Sequence, residues 1–416
     1  MTPIDLLAAV VFGLALVHTF AAKAFERWAR RSPRHAGLLH LLGEVEVVFG
    51  FWAIVLVLLM ALVVGGAQAI EYAETRQYTE PLFVFVIMVV AASRPVLDAV
   101  RAMVSSLARH APLRPALAQV WLCLAVVPLI GSLVTEPAAM TLAALMLAPL
   151  VFEAALPEGL KYAALGALFV NVSIGGTLTS FAAPPVLMVA SAWQWDSAFM
   201  ATHFGWKAAL AVLVNASVMT AALARHLPST PAPDAELSAA RVPATVSAIH
   251  LVFLAAVVAF AHHPVVFLGI FLLFLGYTQA YARHQSPLLL KEALLVGFFL
   301  SGLVVLGGLQ QWWLQPIVSQ LQPTALFFGA LGLTALTDNA ALTYLGSLID
   351  GLSHESRYML VAGAVAGGGL TVIANAPNPA GVTLLKRGFK DGSIGALGLL
   401  LGALPPTVVA AACFWL

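Results

Sequence analysis

Uncharged apolar runs of about twenty residues recur along the chain between short polar stretches. This spacing predicts helices that cross a hydrocarbon core roughly 30 Å thick. Val47–Ala67 and the run around Leu251–Phe260 set the pattern. The runs are continuous rather than alternating, so they suit helices and not a barrel. In the first half, crossings are expected ahead of Lys23 and over about 42–68, 81–103, 160–200 and 203–226. In the second half they are expected over 247–262, 264–282, 288–309, 357–385 and 392–416. Two other stretches, 115–156 and 311–352, pair apolar arms about a polar corner and predict re-entrant hairpins. A corner of that kind is tolerable at membrane depth only when buried in protein or lining a wet cavity.

Loop charge sets the direction of each crossing. Lys23, Arg27, Arg30, Arg31 and Arg34 place the first connection inside, and the acidic stretch Glu71–Glu80 places the second outside. Segment three then returns inward to a loop bearing Arg101, Arg109 and Arg114. Trp193, Trp195 and Trp206 fall at the outer interface, and Lys386, Arg387 and Lys390 fall inside. Residues 227–246, rich in proline, read as a cytoplasmic linker between a first repeat at 1–226 and a second at 247–416. An odd number of crossings in each half turns the second copy upside down. The expected fold is therefore an all-α polytopic membrane protein of two inverted repeats. Each has five transmembrane helices, a re-entrant hairpin (115–156, 311–352) and one broken helix (160–200, 357–385). Both termini are expected outside.

Composition supports a membrane solvent: 61% of residues are hydrophobic and 9% charged, against roughly 25% charged in soluble domains. A net charge of +1 argues against nucleic acid as a partner. Cys123 and Cys413 lie far apart in apolar segments and suggest neither a disulfide nor a thiolate metal site. The opening residues Met1-Thr2-Pro3-Ile4-Asp5 carry no basic cluster ahead of the first run, so that run is expected to stay in the membrane.

The candidate chemistry lies at the corners and breaks. Thr135-Glu136-Pro137-Ala138-Ala139-Met140-Thr141 is echoed by Thr337-Asp338-Asn339-Ala340-Ala341-Leu342-Thr343. Each copy places one carboxylate in an uncharged apolar stretch, where insertion scales charge roughly 2.5–3.5 kcal/mol at the bilayer centre. The broken crossings repeat as well. Gly175-Gly176 matches Gly368-Gly369 and Ala183-Pro184 matches Ala376-Pro377, at one offset (175 to 368, 183 to 376). A helix interrupted near the midplane exposes carbonyls at one broken end and amides at the other. The first break is expected over 171–180, where Asn171, Ser173 and Thr177 offer oxygens, and Thr371, Asn375 and Asn378 offer theirs around the second. Oxygen donors without clustered Cys or His suit a hard monovalent cation. Burial favours the protonated form of a carboxyl group, so Glu136 or Asp338 can hold a proton and release it when a cation arrives. Competition of this kind gives antiport.

Thr337-Asp338-Asn339-Ala340, Ala374-Asn375-Ala376-Pro377-Asn378-Pro379, Ile174-Gly175-Gly176-Thr177 and Pro184-Pro185 together resemble the ion transporter superfamily. That superfamily includes arsenite, citrate and dicarboxylate permeases and sodium/proton antiporters. Within it the chain resembles a bacterial putative sodium/proton antiporter family. The resemblance implies a multi-pass protein of the bacterial inner membrane, a dimer, and a transport domain that moves as an elevator against a scaffold. It also implies Na+ and H+ as the transported ions, with no further cofactor. By the same resemblance Asp338, Asn339, Asn375 and Asn378 would hold Na+, with Asp338 leading. The first repeat departs from the pattern at Glu136-Pro137 and Ala183, so Glu136 is expected to carry or share the proton, with Thr135 and Thr337 beside the two carboxylates. The alternative is a transporter of an arsenite-like or carboxylate anion. The absence of Lys and Arg from 131–150, 171–192, 332–349 and 367–385 weighs against a multiply charged one. A membrane-embedded enzyme is a remote alternative, since no H-E-x-x-H, C-x-x-C or phosphate-loop motif occurs.

Overall fold

The computed structural model describes residues 2–227 and 242–416, all helix and connecting turns, with no strand among them. In chain order the helices are α1 (Pro3–Arg31), α2 (Ala36–Gly43), α3 (Val45–Val63), α4 (Gly66–Glu74), α5 (Thr79–Ala91), α6 (Arg94–His110), α7 (Pro115–Val134) and α8 (Glu136–Leu147). There follow α9 (Glu158–Gly175), α10 (Pro184–Trp193), α11 (Ser197–Met200), α12 (Trp206–Leu223), α13 (Ala244–Ala259), α14 (Pro264–Ala280) and α15 (Leu290–Gly307). The last are α16 (Gln311–Val318), α17 (Pro323–Thr334), α18 (Asn339–Ser347), α19 (His354–Gly367), α20 (Asn378–Leu385) and α21 (Ala396–Phe414). Among the described residues, six helices are long and apolar enough to cross a membrane, or seven if the bent pair α5–α6 is one span. α10, α13, α14 and α17 are shorter and apolar.

Local chemistry explains the boundaries. Thr2 and Asp5 close a capping box on α1, and proline, which lacks the N–H a first turn would leave unpaired anyway, opens α7, α14 and α17. The chain divides into two compact units. One comprises the residues up to Phe85 with Leu290–Leu321 and Tyr344–Ser353. In it α3 packs on α15 and on α1, with Lys291 paired to Glu44 at 3.2 Å. The other comprises Val86–Leu289, Gln322–Thr343 and His354–Leu416. There α9 packs on α7, α12 and α21, α17 on α19, and α20 on α8. Both corners and both broken helices belong to this second unit.

Several sequence expectations are corrected. Segment three does not run straight over 81–103 into an arginine loop. The chain bends by 62° between α5 and α6, and Arg101 and Arg109 lie on α6. Ser93 is extended, Pro95 lies in the first turn of the new helix, and Val96, Val100, Val104 and Ala108 form one buried stripe, so α6 is amphipathic. Arg94 and Asp98 form an i, i+4 pair at 3.4 Å on its first turns. Part of the acidic stretch read as an outer loop is helical, in α4. The 311–352 hairpin has its first arm split into α16 and α17, with Pro323 opening the second piece. Asn171 and Ser173 lie inside α9 rather than in the break, which spans 179–183 between a short 3-10 turn (Gly176–Leu178) and α10. Most of the 227–246 linker lies outside the described residues.

Candidate functional site

At the first corner a single residue, Thr135, joins α7 to α8, and the two helices fold back on each other, Gly131 against Ala139. Thr135 has φ 82° and ψ 150°, a region nearly reserved for glycine and worth roughly 1–3 kcal/mol of strain in other residues. Its Oγ1 is buried without a hydrogen-bond partner. The corner delivers Glu136 to the first turn of α8, fully buried at 0% exposure. Its Oε2 accepts a hydrogen bond from Asn375 Nδ2 at 2.7 Å, while Oε1 has no partner. The carboxylate lies directly against Gly176, where any Cβ would overlap it. A bond that crosses 239 residues of sequence thus joins the first corner to the second broken helix.

At the second corner Asp338 is half-buried. Its Oδ1 accepts from the backbone N–H groups of Ala340 at 2.8 Å and Ala341 at 3.2 Å, so it caps α18. It lies near enough to Glu136 for the two carboxylates to interact electrostatically. Asn339 is fully buried, and neither its oxygen nor its nitrogen has a partner. Its amide packs on Gly368, as does the Ser173 hydroxyl, which donates to the Val365 carbonyl at 2.8 Å. Asn378 Nδ2 donates to the carbonyls of Gly368 at 2.8 Å and Thr371 at 2.9 Å. The oxygens of Asn375 and Asn378 have no partner. Glu136, Asn375, Asn378, Asn339 and Ser173 are therefore linked through contacts at Gly368 and the 375–378 turn.

Other expected site residues point elsewhere. Asn171 Nδ2 donates to Leu124 O at 2.8 Å and Val212 O at 3.4 Å, and its oxygen accepts from Asn215 Nδ2 at 2.9 Å. Asn215 also donates to Pro406 O at 3.2 Å. This buried amide pair ties α7, α9, α12 and α21 together. Thr177 Oγ1 donates to Ile174 O at 2.7 Å, and Thr337 is half-buried at the corner. Two further hydroxyls lie near the corners. Ser132 bridges Gly175 O at 2.6 Å and Leu178 N at 2.9 Å. Thr334 is fully buried against Gly367, with an Oγ1 that has no partner. Each lies three residues before its corner threonine, a spacing that becomes informative once the fold shows what each hydroxyl bonds.

Unpartnered buried oxygens are costly and are the groups a dehydrated cation would satisfy. Among the described residues no group of three or more His, Cys, Asp or Glu gathers. The donor set is amide, hydroxyl and one carboxylate, which suits an alkali cation rather than a transition metal.

A family model described as a putative Na+/H+ antiporter matches residues 3–416. No curated protein matches the chain. Among solved structures the chain is similar to the YdaH transporter of Alcanivorax borkumensis, at 14% identity and a TM-score of 0.44, over 89% of this chain and 96% of that one.

Proposed function

From the premise that the chain belongs to the putative Na+/H+ antiporter family, we propose that it is a secondary transporter exchanging an alkali cation, Na+ first among them, for a proton. The observation that supports this best is Glu136: a fully buried carboxylate with one oxygen held by Asn375 and the other without a partner. A lone buried charge is expensive. Glu136 can be neutralised by a proton on Oε1 or balanced by a cation bound among the nearby asparagines. The two states exclude one another because each satisfies the same charge. Asn375 couples them, since it sits in the turn that carries Asn378 and holds the carboxylate directly. Asp338 adds a second negative charge near the cation while capping α18.

The wider reading is an elevator in which the second compact unit is the transport domain, in a multi-pass inner-membrane dimer with both termini outside. Inverted repeats would present the site alternately to the two sides. The four site stretches without Lys or Arg disfavour a multiply charged anion as cargo.

Purified protein in liposomes with an internal pH-sensitive dye tests the proposal. Na+, Li+ or K+ pulses should move protons in the wild type and not in Glu136→Gln. Proton movement driven by arsenite or a carboxylate, with none driven by cations, would overturn it.

A further inference from the structure

We propose that one cation is carried per cycle, bound at the second break alone, and that the Thr334 hydroxyl is one of its ligands. The proposal rests on the exchange reading above and adds both a count and a residue to it.

Counting back three residues from Thr135 and from Thr337 reaches Ser132 and Thr334, so each corner has a hydroxyl at the same place. The first is closed. Ser132 Oγ donates to Gly175 O at 2.6 Å and accepts from Leu178 N at 2.9 Å. Its own carbonyl accepts from Thr179 Oγ1 at 2.7 Å. Thr177 Oγ1 occupies the Ile174 carbonyl at 2.7 Å. Hydroxyls thus take up the Ile174 and Gly175 carbonyls at the end of α9. The unpartnered buried side-chain atoms that the first half itself leaves around this break are Thr135 Oγ1 and Glu136 Oε1, with Asn375 Oδ1 of the second half beside them. Of the first half's two oxygens, one belongs to the carboxylate that takes the proton in the exchange reading.

The second break is open. Thr334 Oγ1 has no partner although the residue is fully buried, and its Cβ side lies on Gly367. Asn339 packs on the adjacent Gly368 with neither amide atom bonded. Asn378 commits its nitrogen to the Gly368 and Thr371 carbonyls and leaves its oxygen without a partner. Thr334, Asn339 and Asn378, each with an unpartnered buried side-chain oxygen, therefore all contact Gly367–Gly368. The positions corresponding to Asn339 and Asn378 in the first half are Pro137 and Pro185, which have no side-chain oxygen at all. The hydroxyl common to both halves is hydrogen-bonded in one and without a partner in the other, where amides accompany it. A buried oxygen lacking a donor is a penalty that a bound cation removes. All three ligands are uncharged, so the cation's charge is balanced by Glu136 and Asp338 rather than by direct coordination through this trio.

Proteoliposome exchange measured against Na+ concentration, together with equilibrium binding of radiolabelled Na+, tests the proposal. The wild type should show a Hill coefficient of one and bind one Na+ per chain. Thr334→Val should raise the KM for Na+ tenfold or more with its maximum rate and melting temperature close to wild type, and Thr334→Ser should restore the KM. Ser132→Ala should lower the melting temperature and leave the KM within about twofold. A Hill coefficient near two, two bound ions per chain, or an unchanged KM in Thr334→Val would overturn this proposal while exchange itself stood. A wild-type protein that moves no protons with any alkali cation would overturn the exchange reading and this one with it.

Discussion

Glu136 and Asp338 look alike in sequence and differ in their surroundings. The first has an oxygen without a partner, and the second has an oxygen held by two backbone N–H groups. Asparagine caps helices as well as aspartate does, while alanine loses about 1 kcal/mol. Asp338→Asn should therefore melt like the wild type and Asp338→Ala lower, and both should lose cation-driven proton movement. If Asp338→Asn exchanges normally, its carboxylate is a cap only. Removing the donor to a buried carboxylate is worth roughly 1.5–3 kcal/mol, so Asn375→Ala should slow exchange by about tenfold or more in the same liposome assay. Thr135 makes a prediction about strain. Thr135→Gly relieves a φ of 82° and Thr135→Ala does not. The glycine variant should melt above the alanine variant, by about 1 kcal/mol or more, reversing the usual helix-region order. Equal melting would show that the corner relaxes without cost.

Elements explain what sequence could and could not reveal. Both corners were legible, because a carboxylate inside an apolar run stands out and the phrase recurs. Asn375 and Asn378 were legible through the prolines beside them, which rule out a continuous helix. Ser132 and Thr334 were not, since serine and threonine in apolar helices usually bond their own backbone. Only the fold shows that one hydroxyl bridges to another helix while the other has no partner. Asn171 misled for the opposite reason: it is close to the glycines in sequence, but α9 continues to Gly175 and leaves the amide facing α7 and α12. It belongs to a polar staple between helices. Asn215→Ala should lower thermal stability by about 1–2 kcal/mol and leave the KM for Na+ unchanged, whereas a tenfold rise in KM would place the staple within the site. The bend between α5 and α6 was readable in Ser93-Arg94-Pro95 but was masked by the apolar run around it.

For the molecule as a whole, orientation rests on the loop charges. The native thiols are buried, so introduced cysteines can report without interference. Gly37 and Gln77 are exposed, and Gly37 has open space at its Cβ position. A membrane-impermeant maleimide should label Gly37→Cys from the cytoplasmic side and Gln77→Cys from the outer side of intact cells. Labelling of both from one side would invert or break the assigned topology.

On the two-repeat plan proposed above, the bond from Asn375 to Glu136 means that neither half of this chain could work as a pair with a second copy of itself. Two copies of residues 1–226 would bring Ala182 where the amide is needed, and two copies of residues 247–416 would bring amides with no Glu136 to hold. Split into separate polypeptides, the halves would have to find each other, and only the mixed pairing would rebuild the pocket.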